Sequence, residues 1–423
     1  MTVTDALFGE EGSVVRDRPF QLLLLANLNA PLGVALVSPL LDSLLGPFGV
    51  SPTRIGLMVT AFTAPSVVVI PLVGALSDRY GRKPILVGGL VLFGVAGGAI
   101  SLTTSFPVVL ALRALQGVAH AGLTPIVVTS VGDLYAGAEE ATAQGIRFAS
   151  SGLTQAVFPL LAGLLVTVGW QYPFLLYVLA VPTAVVLLVG FPEPSRRAED
   201  DPGTPEEAGS GPVPGLREFA LRPHVLSILV VRGLPNFVYF GLLTYNSFVV
   251  VRILDGTPAG AGLLVAVTSI VYAGTATQAG RITAAFDGRA VPLFVAHLSM
   301  GGGMALVAAA PSLPIVAVGA VGVGVGVGIT ASLYRSVITG LAPVDLRGGL
   351  VALGESSGRL ASTVVPVAMG ATTGALEPSF GFGPAVRWTV LGVGLISTLV
   401  GVGGVYVART ASPATDGSIV DEV

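Results

Sequence analysis

Apolar residues run for roughly 20 positions at a time along most of this 423-residue chain, and each run closes on a cluster of charged, Gly or Pro residues. A helix that crosses the hydrocarbon core of a bilayer needs roughly 20 mostly apolar residues. The pattern predicts spans near 20–42, 53–76, 84–104, 106–131, 144–167 and 171–191, then near 223–251, 259–282, 291–310, 314–338, 349–375 and 386–408. Between the two sets, Phe191 to Leu221 gathers Pro192, Pro194, Arg196, Arg197, Glu199 to Asp201, Glu206 and Glu207. Such a stretch cannot bury a core and reads as a linker. The expected chain is an all-α membrane protein of twelve transmembrane helices. Its parts are a tail (1–19), a six-helix bundle (20–191), a linker (192–222), a second six-helix bundle (223–408) and a second tail (409–423).

Composition sharpens this. Only 11% of residues are charged and 52% are hydrophobic, whereas a soluble domain carries about 25% charged residues. The 57 Gly and 30 Pro lie largely inside the apolar runs, where small residues let helices approach and neighbours repair freed backbone bonds. With no Cys and three unclustered His, disulfide, thiol and metal chemistry have no basis. A phosphate-binding loop ending in Gly-Lys-Ser/Thr is absent, so ATP hydrolysis is not expected. No enzyme, cofactor, metal or nucleic-acid role is expected.

Residues Met1 to Arg18 are polar and mixed in charge, so no cleavable leader is expected there. Placing the N-terminus inside assigns fourteen of the 21 Lys and Arg to inner segments and only Arg54, Arg252 and Arg387 to outer loops. Arg113, Arg232, Arg335 and Arg359 fall within spans. Cytoplasmic loops carry such an excess of cations, so a multi-pass protein of the cell membrane with both termini cytoplasmic is expected.

The halves look like copies. The loop after span two contains Gly74, Asp78, Arg79, Gly81, Arg82 and Lys83, and a degraded echo after span eight holds Gly280, Arg281, Asp287, Gly288 and Arg289. Asp78 and Asp287 are 209 positions apart, and Pro159 and Pro366 are 207 apart. A common offset implies parallel, pseudo-symmetric repeats, an arrangement that puts a substrate site near mid-membrane between halves.

The loop at Gly74 to Lys83 fills every position of Gly-x-x-x-Asp-Arg-x-Gly-Arg-Lys. It resembles the signature loop of the major facilitator superfamily, and the resemblance implies the major facilitator fold and solute transport by alternating access. In physical terms, Gly74 is expected to allow close helix packing and Gly81 a tight turn. Asp78 beside a helix end and basic partners is expected to hold one conformational state and release another. Asp133 resembles the acidic residue that pairs with this loop in relatives. Arg113, Gln116 and Gly117 resemble the family's Arg-x-x-Gln-Gly motif, implicated there in proton coupling. Arg113, Gln116 and His120 share one helix face. Two readings stand for Arg113: a cavity residue, or an arginine that bonds neighbouring helix backbones. Span five keeps Pro159 and Gly163 of the family's antiporter motif, but Phe158 stands where that motif has Gly, and Gln155 lies nearby.

Arg232, Asn236, Tyr239 and Asn246 step along one stripe of span seven. They form a cavity wall or bond between helices; the cavity reading is preferred, with Asn27 in span one, Gln155 in span five and Tyr272 in span eight as further lining candidates. Glu355 and Arg359 lie four apart in span eleven. Glu355 is either a proton carrier or the partner of Arg359, and Arg113 and His120 are the other proton-coupling candidates. The resemblance is nearest to the drug:proton antiporter branch, which implies proton-coupled efflux of drug-like compounds by a monomer. The alternatives are proton- or ion-coupled uptake of a small anionic metabolite and a membrane sensor that moves nothing.

Overall fold

The computed structural model describes residues 14–193, 215–286, 288–341 and 343–411. Most of both tails, most of the linker and Asp287 of the echo loop lie outside the described residues. The helical segments, in chain order, are α1 (Arg18–Leu40), α2 (Pro52–Tyr80), α3 (Arg82–Leu102), α4 (Phe106–Leu134), α5 (Gly137–Leu165) and α6 (Tyr172–Gly190). Then follow α7 (Pro223–Ile253), α8 (Pro258–Thr277), α9 (Ala290–Ala309), α10 (Leu313–Leu341), α11 (Arg347–Phe380) and α12 (Phe382–Thr410). No strand occurs among the described residues. Eleven of these are long and apolar enough to cross a membrane. The remaining one, α11, is 34 residues long, but Glu355, Arg359 and Glu377 lower its hydropathy.

The expected ends hold to within a few residues, except that α5 starts seven residues earlier, at Gly137, α8 ends five earlier, at Thr277, and α11 runs five further, to Phe380. Both extensions carry polar or charged residues, which an apolar-run rule excludes although the helix continues through them.

The chain divides into two compact units, Met1–Ser51 with Leu57–Gly203 and Pro52–Gly56 with Thr204–Val423. In each, the first long helix is interrupted before a proline. In the first unit α1 breaks into Arg18–Asn27, Leu32–Ala35 and Ser38–Leu40, with turns across 28–31 that precede and include Pro31. In the second unit α7 breaks at Arg232–Gly233, just before Pro235. Proline supplies no N–H, so the carbonyl one turn earlier loses its helical donor.

Small residues set the packing. The Val-Gly alternation of Val321 to Gly328 is helical, as expected. A methyl group built on Gly319 would lie 2.6 Å from the Gly303 carbonyl of α9, and one on Gly324 or Gly328 would lie 2.8 or 2.7 Å from the Thr268 or Tyr272 carbonyl of α8. Glycine thus lets α10 rest its backbone against α8 on one side and α9 on the other, the contact that drives helix association in lipid. Large apolar side chains such as Val68, Leu72, Leu188 and Leu399 stay exposed, as suits a hydrocarbon solvent rather than water.

Candidate functional site

The interruption of α1 leaves carbonyls that α4 and α6 satisfy. Val37 N–H bonds to Val34 rather than to Gly33. Arg113, fully buried on α4, fills the gap: its Nη2 donates to Gly33 O at 2.6 Å and its Nε to Met58 O at 3.1 Å. Its Nη1 reaches Gln116 Oε1 at 2.8 Å and the Tyr177 hydroxyl of α6 at 3.2 Å, and the guanidinium lies 4.5 Å from the Phe62 ring centroid. Tyr177 also donates toward Leu32 and Gly33. His120 donates from Nε2 to Ala30 O at 2.8 Å and sits beside Phe62 and Phe93.

Arg113 and Gln116 are buried here, and of the two readings left for Arg113 it makes the bonds to neighbouring helix backbones. A carbonyl without its helical donor attracts a cation more strongly than an open cavity does, because no water competes for it. Asn27 is likewise buried, its Nδ2 lying 2.8–3.0 Å from Arg147 O, Ser150 Oγ and Ser151 Oγ on α5. It braces α1 against α5. Gln155 is half-buried on α5.

In the second unit the polar stripe on α7 meets α11. Arg232 Nη2 donates to Glu355 Oε1 at 2.8 Å, with Glu355 about half exposed and Arg232 nearly buried. Asn236 Nδ2 donates to Gly358 O at 3.0 Å. The approach depends on glycine: a methyl group on Gly358 would lie 2.9 Å from Asn236 Nδ2 and 3.2 Å from Arg232 Nη1. The sequence leaves Glu355 either a proton carrier or the partner of Arg359; here its hydrogen bond comes from Arg232, with Arg359 within electrostatic reach. The same-face spacing exists, but Arg232 reaches across from α7 and takes the carboxylate, because its own helix is broken at that residue and its side chain leaves toward α11. Tyr239 shares a hydrogen bond with Ser269 of α8 at 3.3 Å, and its ring lies 6.3 Å from that of Tyr272. Asn246 is buried near the far end of the stripe.

The signature loop forms a third cluster. Gly81 sits at φ +96° between α2 and α3, the left-handed geometry that suits glycine. Arg82 joins three helix ends: its Nη1 donates to Asp78 Oδ1 at 2.8 Å and to Ser77 Oγ at 2.7 Å, and its Nε to Asp133 Oδ2 at 3.2 Å on α4. Arg79 lies over the Tyr80 ring, 5.4 Å from its centroid. Gly74 faces open space, with nothing within 4 Å of a methyl group built there. The close packing expected of it is not found, since α2 turns this face away from its neighbours.

Sequence reasoning misses Glu193. Its carboxylate accepts from the Arg82 and Lys83 backbone amides, the latter at 3.0 Å, capping α3. It likewise misses Tyr135, just beyond α4, whose hydroxyl donates to Asp17. Burial, then the Asp17 contact, pushes that phenol well above its ordinary range. A lone acid just past the apolar run that ends α6 carries no periodic signal, and neither does a single tyrosine at a helix end.

Residues 23–255 match the family model described as Major Facilitator Superfamily. The Bacillibactin exporter of Bacillus subtilis is 31% identical over 150 residues, 34% of this chain and 37% of that protein. The Multidrug efflux protein YfmO of the same organism is 28% identical over 256 residues, 57% of this chain and 59% of that protein. The matched stretches thus span less than two thirds of either relative. A crystal structure of a bacterial homolog to the human lysosomal transporter Spinster, in an inward-facing and unoccupied conformation, superposes with a TM-score of 0.78 at 16% identity, covering 96% of this chain and 98% of that one.

Proposed function

Because the chain belongs to the Major Facilitator Superfamily, we propose that it is a secondary transporter that moves a small organic solute across the cell membrane by alternating access, exporting drug-like compounds in exchange for protons. The observation that carries the coupling is Glu355, a half-exposed carboxylate within α11, held by Arg232 of α7. Protonation of Glu355 removes the charge that holds Arg232, and deprotonation restores the pair, so the bond between α7 and α11 follows proton occupancy. The export direction is supported by the names of the two relatives, an exporter and an efflux protein. Arg82, bridging Asp78 and Asp133, is the conformational latch in this reading. The protein acts as a monomer with both termini cytoplasmic, the latter supported by the distribution of Lys and Arg.

One observation favours the second reading, proton-coupled uptake of a small anion: Arg232 and Arg359 outnumber Glu355 on the polar stripe. Purified protein in liposomes under an imposed pH gradient separates the two. Exchange predicts that adding tetraphenylphosphonium outside drives protons the opposite way, and Glu355→Gln abolishes this. Proton movement in the same direction as an added organic anion would favour uptake, and silence with every solute would defeat both readings.

A further inference from the structure

The first segment of α7, Pro223–Val231, is nine residues long and ends at the break at Arg232–Gly233. Its position therefore depends on the helix beside it, α12. Gly404 of α12 is the point of closest approach, since a methyl group built there would lie 2.4 Å from Val231 Cγ1. Beside this contact the two helices part into a groove of about 460 Å³, walled by Leu226, Val230 and Val231 of α7 and by Leu399, Val400 and Gly403 of α12. Ser227 is the only polar side chain that lines it, and its hydroxyl donates to the His224 carbonyl of its own helix at 2.8 Å. Leu226, Val230 and Leu399 are exposed along the groove, so it opens toward hydrocarbon. Pro223 begins α7, and Leu399 lies eleven residues before the end of α12 at Thr410. At 1.5 Å per residue the groove reaches roughly 16 Å from the helix ends, about half of a 30 Å hydrocarbon core. It spans one leaflet.

The mouth of the groove is cationic. A five-residue helix, Leu216–Ala220, precedes α7 and docks by Leu216 against Gly349 of α11, where a built methyl group would lie 2.6 Å from Leu216 Cδ2. Leu221 and Arg222 follow it, both exposed. The Arg222 guanidinium lies 4.9 Å from the Phe219 ring centroid, which holds it beside Pro223. A ring takes the face of a guanidinium and a phosphate takes its edge, so one arginine serves both. At this end of the unit Arg217, Arg222, Arg281, Arg289, Arg347 and Arg409 stand against Glu218 and Asp345 among the described residues.

We propose that the groove between α7 and α12 holds one acyl chain of an anionic phospholipid of the cytoplasmic leaflet, with Arg222 on its phosphate. An apolar trough one leaflet deep under a cluster of cations matches that molecule in length, polarity and charge. A zwitterionic lipid brings an ammonium to the same cations and is disfavoured. Seated there, the lipid braces the first segment of α7 against α12 on the near side of its break. The leaflet rests on the cytoplasmic placing of both termini.

The test uses the purified full chain in detergent and phosphatidylglycerol with a photoactivatable diazirine midway along one acyl chain. Labelled peptides are identified by mass spectrometry, and labelling is expected on Leu226 to Val231 and Leu399 to Gly404. Unlabelled phosphatidylglycerol is expected to compete better than phosphatidylcholine. Arg222→Gln is expected to weaken phosphatidylglycerol about fivefold, the worth of one cation at an anionic surface, and to change phosphatidylcholine little. Gly403 has open space around it, so Gly403→Leu fills the groove without forcing the helices apart and is expected to remove the labelling. Labels spread evenly over the lipid-facing helices, equal competition by the two lipids, or full labelling of Gly403→Leu overturns the proposal. So does competition by glycerol 3-phosphate at the lipid's own concentration, which makes the site one for a free phosphate. If Arg222→Gln does not fold, Gly403→Leu and the competition between lipids decide. Detergent removes the leaflets, so the test is separate from the orientation: termini found outside the cell move the site to the other leaflet and leave it standing.

Discussion

Replacing Arg113 with Met tests whether this residue holds the fold or meets solute. Methionine has similar length and fills the space, but it donates no hydrogen bond. The change removes cross-helix bonds to Gly33 O, Met58 O and the Tyr177 hydroxyl. Such bonds in membranes average about 0.6 kcal/mol and reach about 1.7 kcal/mol, so three are worth roughly 2–5 kcal/mol. Loss of the contact with the Phe62 ring adds about 0.5–2 kcal/mol. Relief from burying a charge offsets part of this, leaving a net loss of about 2–4 kcal/mol. Reversible unfolding in mixed micelles measures it. Arg113→Lys should fall in between, because an ammonium cannot fork between two carbonyls. A double-mutant cycle with Tyr177→Phe should show coupling of about 0.5–1.5 kcal/mol. Wild-type stability in Arg113→Met together with weakened solute binding would refute the structural role.

Asp78→Asn should insert and fold normally yet lose most transport, because Arg82 loses one of its two acids; flux in liposomes checks this, and normal flux sinks the latch. Glu193→Ala should remove the cap on α3 at about 1 kcal/mol, read as roughly fivefold faster amide hydrogen exchange at Arg82 and Lys83. Gly324→Val should prevent close approach of α10 to the Thr268 carbonyl of α8 and abolish recovery of folded protein by size-exclusion chromatography, whereas substitution at Gly302, which has open space around it, should not.

The membrane architecture is legible in the sequence because lipid imposes length and composition on every span, and those constraints are local. Gly81 is legible for the same reason, since a reversal between two apolar runs has few solutions. Contacts between helices are not. The i, i+4 spacing of Glu355 and Arg359 is visible in the sequence, but Arg232 lies 123 positions from Glu355, and nothing local marks that pairing. The sequence leaves two readings for Arg113, and the choice depends on where the donorless carbonyls of α1 fall. Pro31 marks the interruption of α1, but it takes the donor from Asn27 O, which Ala30 N–H fills, so nothing local marks Gly33 as the carbonyl left for Arg113.

The break in α1 also has a consequence for biogenesis. Gly33 leaves the ribosome 80 residues before Arg113, the residue whose Nη2 its carbonyl accepts. Until α4 is made, that carbonyl has no partner from α4 or α6, and an unsatisfied carbonyl in hydrocarbon costs several kcal/mol. The first span should therefore wait beside the insertion channel, where water reaches it, and enter the lipid only with α4. Cross-linking of α1 to the channel at successive chain lengths would show release near the length at which Arg113 emerges, and Arg113→Met would delay it.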